Sequence, residues 1–325
     1  MNGVKQFKRR SEAAPAELKS LTVRVPGSSA NLGPGFDALA LAYQLYCQLQ
    51  FIVLPENDPA IPLVTLKGRL SEGLPLDRNN LIYSVLSDHW QCSPDLLQRL
   101  RITIESDIPL GKGVGSSAAA ITGAVWAAYA FAGQGQDSRK ILEKVSDLEG
   151  HADNAAASLI GGLVVSSMSS RSRAVITQKI SWPDEWSTLV CVPSYALSTK
   201  KSRSLLPKQY AKADAVHNLQ KVALLVAAAS NRDEEAMREA LHDRMHEPYR
   251  MELVPQLAAI RKVVADLPVI GCVLSGAGSS VLTVVHQRHK QQVLASLREW
   301  SRNYSEENEV LDLKVDQEGL MVSYQ

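Results

Sequence analysis

The chain has 325 residues, enough for two domains of ~100–200 residues each with full hydrophobic cores. With 45% apolar residues, 21% charged residues and a net charge of +1, it has globular composition and no electrostatic footprint for nucleic acid or a membrane surface. Cys47, Cys92, Cys191 and Cys272 are far apart and form no Cys-x-x-Cys pair, so they read as reduced core or near-surface thiols of a cytosolic protein.

Residues 1–20 hold five basic side chains and no apolar run, which makes them a flexible, solvated tail rather than a secretory signal. Residues 21–26 alternate as a strand should. The stretch 27–37 is rich in Gly, Pro and Ser and is expected to be an irregular loop. In it, Phe36 is expected to anchor in the core while Asp37 projects from the turn. Residues 39–54 are strand-like again, 57–63 an exposed turn, 81–90 a helix, and 100–105 a strand. The uncharged run 113–136 is long enough to span a bilayer. Its alanines, with glycine, serine and glutamine, instead predict a close-packed buried helix ending near Gly133, and hence a soluble protein. A helix over 138–148, a small-residue helix before Gly161-Gly162, and a strand over 163–168 follow. The composition shifts near Trp182-Pro-Asp-Glu185, which is taken as the boundary between domains at 21–185 and 186–325. The second half reads as strands at 189–193, 269–274, 281–285 and 310–315, with helices at 216–229, 233–242, 250–266 and 287–302. Strands and helices mix without strict alternation, which favours α+β over a doubly wound sheet.

The central stretch is Ile108-Pro-Leu-Gly-Lys-Gly-Val-Gly-Ser-Ser-Ala-Ala-Ala120. Glycines at 111, 113 and 115 permit positive φ and close backbone approach. Ser116 and Ser117 stand where an N-cap belongs, so the loop runs into a helix N-terminus. These features make an anion site, most naturally one for phosphates. Lys112 comes too early for a Walker A loop, and the spacing is not Gly-x-Gly-x-x-Gly. The competing reading is a tight turn before a small-residue helix.

Three more polar, glycine-bearing stretches (28–37, 149–154, 275–280) suggest loops converging on a ligand. Glu149, His151, Asp153 and Asn154 form the densest cluster. A carboxylate beside a phosphate loop is a natural Mg²⁺ ligand, with a serine hydroxyl sharing the ion. His151 taken singly is more often a satisfied or exposed histidine. His242 and His246 have the spacing of a zinc pair but lack a third ligand. No Gly-x-Ser-x-Gly elbow is present.

The glycine stretch resembles the phosphate loop of the GHMP kinases, which act on galactose, homoserine, mevalonate and phosphomevalonate. Val25-Pro-Gly-Ser-Ser-Ala-Asn-Leu-Gly-Pro-Gly-Phe-Asp37, Glu149-Gly-His-Ala-Asp-Asn154, Leu197-Ser-Thr-Lys-Lys-Ser-Arg203, His246-Glu-Pro-Tyr-Arg250 and Ser275-Gly-Ala-Gly-Ser279 are similar to the homoserine-phosphorylating branch. The likeness runs over residues 21–324. Gly27 replaces a small residue with a side chain, and Val114 stands where Leu is common.

The resemblance implies an α+β, two-domain GHMP fold: a ribosomal-S5-like N-terminal domain and a ferredoxin-like C-terminal domain, with the site between them. It implies phosphoryl transfer from ATP, with Mg²⁺, to L-homoserine in threonine biosynthesis in the cytoplasm. No nucleic acid or membrane partner is implied, and a homodimer stays open. Pro109, Leu110, Gly111, Lys112, Gly113, Val114, Gly115, Ser116 and Ser117 would wrap the ATP phosphates, with Asn80 near the adenine. Ser117 and Glu149 would hold the metal. Asn31, Asp37, His151, Asp153 and Asn154 would surround the substrate. Arg203 and Arg250 would bind its carboxylate, with Thr199 close by, and residues 276–279 would pack across from the phosphate loop. Asp153, Asn154, Thr199 and Arg203 are the catalytic candidates. Whether Asp153 or Asn154 faces the hydroxyl is left open, as is threonine or another small alcohol as substrate. A non-catalytic ATP or metabolite sensor is the reading from a different class.

Overall fold

The computed structural model describes residues 8–9, 18–55, 62–69, 73–90, 92–134, 137–172 and 174–324. Most of the expected tail (1–7 and 10–17) and of the turn expected at 57–63 lies outside the described residues. The strands are β1 (Lys8–Arg9), β2 (Ser20–Asn31), β3 (Gly35–Val53), β4 (Val64–Gly68), β5 (Leu100–Ser106), β6 (Leu163–Met168), β7 (Val175–Ile180), β8 (Trp186–Pro193), β9 (Val269–Leu274), β10 (Val281–His286), β11 (Asn308–Leu313) and β12 (Met321–Tyr324). The helices are α1 (Leu81–His89), α2 (Pro94–Arg99), α3 (Ser116–Phe131), α4 (Ser138–Glu149), α5 (Asp153–Ile160), α6 (Thr199–Ser204), α7 (Lys212–Asn231), α8 (Glu234–Ala240), α9 (Glu247–Arg250), α10 (Pro255–Val263) and α11 (Lys290–Asn303).

Two sheets result. The first has the order β1-β12-β2-β3-β5-β4, with β6 and then β7 continuing from β3. Strand β3 is 19 residues long, so one of its edges carries two partners: β5 along residues 47–53 and β6 along residues 39–41. The second sheet is antiparallel, in the order β11-β8-β10-β9. A division after residue 185 separates the two sheets except at the C-terminal strand, where β12 returns to pair with β2.

The stretch 27–37 is not an irregular loop. Strand β2 continues through Ser28, Ser29 and Ala30, paired with residues 40–42 of β3, and the turn shrinks to residues 32–34. Ser28 and Ser29 are fully buried, because small side chains let the glycine loop lie directly on this strand. Asn31, Leu32 and Asp37 take left-handed φ values of 71°, 49° and 55° to close the turn, a conformation asparagine and aspartate tolerate better than most residues.

Helix α3 packs on the first sheet and against α1, α4 and α5, and its alanines 119, 124, 127 and 128 are fully buried. A Cβ at Gly123 would come within 2.7 Å of a Leu49 methyl and 3.2 Å of a Val25 methyl, so glycine lets the helix lie close on the sheet there without displacing them. Among the described residues no helix is long and apolar enough to cross a membrane. The helix expected over 250–266 is shorter: α10 runs only from Pro255 to Val263, and Arg250 instead ends a separate turn of helix, α9. Pro255 starts α10 at a position where its missing N–H costs nothing, and it cannot continue the preceding helix. A second core, with Leu257, Ile260, Val293 and Leu297 at its centre, joins α10 and α11 to the second sheet. Strand β7 escaped the sequence pattern because it is an edge strand in which only Val175 is buried.

Candidate active site

The glycine loop is held from behind. Four successive carbonyls, those of Gly111, Lys112, Gly113 and Val114, accept hydrogen bonds from Leu197 N (2.8 Å), Ser280 N (3.0 Å), Ser275 Oγ (2.6 Å) and Ser28 N (3.0 Å). With its oxygens turned to the protein body, the loop carries the opposite polarity on its other face. Gly111, Gly113 and Gly115 have φ of 65°, 78° and 74°. A Cβ at Gly113 would sit 2.4 Å from the Ser275 carbonyl oxygen, so glycine is obligatory. The N-cap of α3 is Gly115, with no side-chain cap, which corrects the expectation that a serine caps it. Ser116 and Ser117 are the first two helical residues. Their side chains are thereby free for other work, and the first-turn N–H groups stand at the positive end of α3.

Helix α4 ends at Glu149, followed by the left-handed Gly150 (φ 80°), which turns the chain sharply into residues 151–154. Ser117 Oγ donates to Glu149 Oε1 at 2.6 Å. This hydroxyl and carboxylate at a helix N-terminus form the hard oxygen pair that suits Mg²⁺ alongside phosphate oxygens. His151 Nδ1 lies 2.8 Å from Asp153 Oδ1, and its Nε2 is 4.0 Å from Glu149 Oε2. Burial acts to lower the imidazole pKa. The Asp153 hydrogen bond and the charges of Asp153 and Glu149 outweigh it, and the group lies above the ordinary histidine value. Asp153 Oδ1 also accepts from Asn154 N (2.6 Å), while Asn154 Nδ2 donates to Ser28 Oγ (2.9 Å).

On the opposite wall, Arg203 of α6 grips Asp37 through two hydrogen bonds of 2.9 and 2.5 Å. Those bonds raise the guanidinium pKa further. Arg250 is 1% exposed. Burial, and after it the charge of Arg203, pull its pKa down to about 10, so it stays charged at neutral pH. Its Nη1 donates to Gly276 O (3.2 Å) and to His246 Nδ1 (3.1 Å). That contact makes His246 Nδ1 an acceptor, so Nε2 carries the proton donated to Gly33 O at 2.7 Å. His246 is therefore a neutral structural histidine, and His242 sits on the backbone carbonyl of Glu239; the two do not form a metal pair. Asp243 accepts from Met245, His246 and Glu247 N–H and fixes the start of α9, which carries Arg250. Together the two walls line a cavity of about 110 Å³ that opens to solvent.

Residues 80–162 match the family GHMP kinases N terminal domain, and residues 224–303 match GHMP kinases C terminal. The homoserine kinase of Desulfitobacterium hafniense is 35% identical, over 92% of this chain and 99% of its own. That of Solibacter usitatus is 37% identical over 91% of this chain and 95% of its own. The crystal structure of the homoserine kinase from Cytophaga hutchinsonii superposes with a TM-score of 0.78 at 25% identity, covering 95% of this chain and 98% of that one. The chain belongs to the homoserine kinases of the GHMP family.

In this GHMP kinase the cavity gathers Asn31, Asp37, Gly111, Gly113, Gly115, Ser116, Ser117, Glu149, His151, Asp153, Asn154, Thr199, Arg203 and Arg250 from five separate stretches of the chain. Other residues singled out from the sequence lie elsewhere. Pro109, Leu110 and Lys112 line a neighbouring cavity with Arg69 and Glu309, and Val114 is buried in the core. Asn80 caps α1, its side chain accepting from Ile82 N and donating to Pro75 O. Asn31 shapes the turn as well as the cavity: its amide donates to Gly276 O (2.9 Å) and accepts from Asp37 N (3.1 Å). Sequence reading missed that Phe36 lines the cavity and is not a core anchor. Its place between Gly35 and the cavity-facing Asp37 was the available signal. It also missed Ser28 as the partner of Asn154, because nothing local in Ser28-Ser29 tells which distant side chain either will meet.

Proposed function

We propose that this enzyme transfers the γ-phosphoryl group of ATP to the side-chain hydroxyl of L-homoserine, giving O-phospho-L-homoserine. The observation that carries the reading is the pairing, across one cavity, of an anion-binding loop and helix N-terminus with a wall of two arginines and an aspartate. The first suits a polyphosphate and the second a zwitterion. The curated relatives bear the name of this activity over nearly their whole length.

In this reading the N–H face of residues 111–117 holds the β- and γ-phosphates. The fit of a metal rests on the Ser117–Glu149 contact, in which two hard oxygens meet at a site of positive backbone potential. Mg²⁺, when bound there, supplies neutralisation of the charge on the phosphate oxygens. Arg250 and Arg203 orient the substrate carboxylate, Asp37 its ammonium, and Asn154 and Asp153 the region of the hydroxyl. Phosphoryl transfer depends chiefly on positioning and charge stabilisation. Asp153, already engaged by His151 and by Asn154 N, accordingly serves more to order the start of α5 than to abstract a proton. Asp153→Asn then raises KM more than it lowers kcat; a collapsed kcat at unchanged KM would make it a general base. Four free cysteines fit a cytoplasmic enzyme.

The test of the activity is ADP release across L-homoserine, L-threonine, homoserinol and unrelated alcohols. The expected result is the highest kcat/KM for L-homoserine. Tight ATP binding without turnover of any of them would instead mark a sensor.

A further inference from the structure

Phe36 is the second residue of β3, next to Asp37, and its ring borders the cavity. It stacks on His246 with a centroid separation of 5.3 Å and an interplanar angle of 25°. The guanidinium carbons of Arg250 and Arg203 lie over the same ring at 5.3 and 5.5 Å. Two cations gathered at one ring repel each other. Asp37 answers the charge of Arg203, whereas the hydrogen-bond partners of Arg250 are neutral: a carbonyl oxygen and the imidazole. The buried Nε of Arg250 has no hydrogen-bond partner among the described residues. An aromatic face carries the negative part of a quadrupole and attracts a cation within about 6 Å of the centroid. The ring is backed by an imidazole that is itself fixed to Gly33 O, so its plane is set by the fold.

We propose that Phe36 is a positioning residue for the substrate carboxylate: its ring holds Arg203 and Arg250 at a separation that lets both engage one carboxylate. The site is thereby biased toward amino-acid alcohols over alcohols lacking the acid. This inference rests on the assignment of the two arginines to the carboxylate of homoserine.

The test replaces Phe36 in the full chain with phenylalanines bearing one, two and three ring fluorines. These preserve shape while withdrawing negative charge from the ring face. KM for L-homoserine should climb with each fluorine, to about tenfold at three, while KM for ATP and Tm stay level. Homoserinol, which has no carboxylate, should show no trend in KM, or in Ki where its turnover is slow. Phe36→Tyr should keep KM within about threefold and Phe36→Leu should raise it about tenfold or more. A flat series for homoserine, or an equal climb for homoserinol, overturns the proposal. Arg203→Lys and Arg250→Lys separate the two levels. If both leave KM for homoserine unchanged, the carboxylate assignment fails and the role of Phe36 falls with it. If they raise KM while the fluorine series stays flat, only the role of Phe36 falls.

Discussion

At the scale of single residues, the site is a set of paired charges whose pairing precedes any ligand. Asp37 and Arg203 hold each other on one wall of the cavity. On the proposed assignment a zwitterion would exchange that pair for two of its own, its ammonium meeting the carboxylate and its carboxylate the guanidinium. Asp37→Asn keeps the shape of the turn but removes one charge of that exchange. KM for homoserine should rise about tenfold, equivalent to roughly 1.4 kcal/mol, with ATP affinity unchanged. Loss of thermal stability with KM unaltered would reduce Asp37 to a turn residue. At the other wall, Glu149→Gln leaves the hydrogen bond to Ser117 available but takes away the carboxylate charge. The expected loss is at least ~10²-fold in kcat at saturating Mg²⁺, the scale for one transition-state stabiliser, with an unchanged circular dichroism melt.

Among elements, the short helix α9 is the one most dependent on a single side chain. Four residues cannot form a stable helix alone, and Asp243 supplies the missing N-terminal partners. Burial acts to raise the Asp243 carboxyl pKa, but the electrostatic interaction with the neighbouring His246, and after it the hydrogen bonds accepted from Asn218 and from the Glu247 and His246 N–H groups, bring it below the ordinary value of 3.8. A carboxylate depressed in the folded state contributes stability above its unfolded pKa and loses it as pH falls through the folded one. Asp243→Asn should therefore cost about 2 kcal/mol at pH 7, and the gap from wild type should close as pH falls below 3.8. Urea melts of both proteins between pH 3 and pH 7 check this; a gap independent of pH would show that the charge contributes nothing. Because α9 carries Arg250, KM for homoserine should rise in the same variant.

For the whole molecule, two of the connections that tie the halves together show how the site is held. The first is the seam in which Ser275 Oγ meets both Ser29 Oγ (2.5 Å) and Gly113 O (2.6 Å), so that the second sheet holds the phosphate loop against the first. The second is the return of the chain to its first sheet: β12 lies between β1 and β2, with Leu320 and Val322 fully buried. Removing residues 316–325 would strip a strand from the interior of that sheet and leave Leu21 and Val23 without their cover. The truncated chain should lose its cooperative melt altogether; a Tm within a few degrees of wild type would show the strand to be an accessory.

The sequence by itself determined the phosphate loop, the helix behind it and the turn at 149–154, because each rests on local chemistry. Gly111, Gly113 and Gly115 declare positive φ, alanines declare close packing, and Gly150 declares a helix end. The α+β class followed from the order of periodic segments. What local pattern could not determine was how Ser28, Ser29 and Ala30 would be used. Their composition is that of a loop, yet the glycine loop lying on them makes small strand residues the favourable choice. Nor could it show that Phe36 faces two arginines drawn from segments more than 160 residues away, or that Asp37 would be engaged by one of them. Those contacts are set by which strands pair and which helices cover them, and so only the tertiary structure decides them.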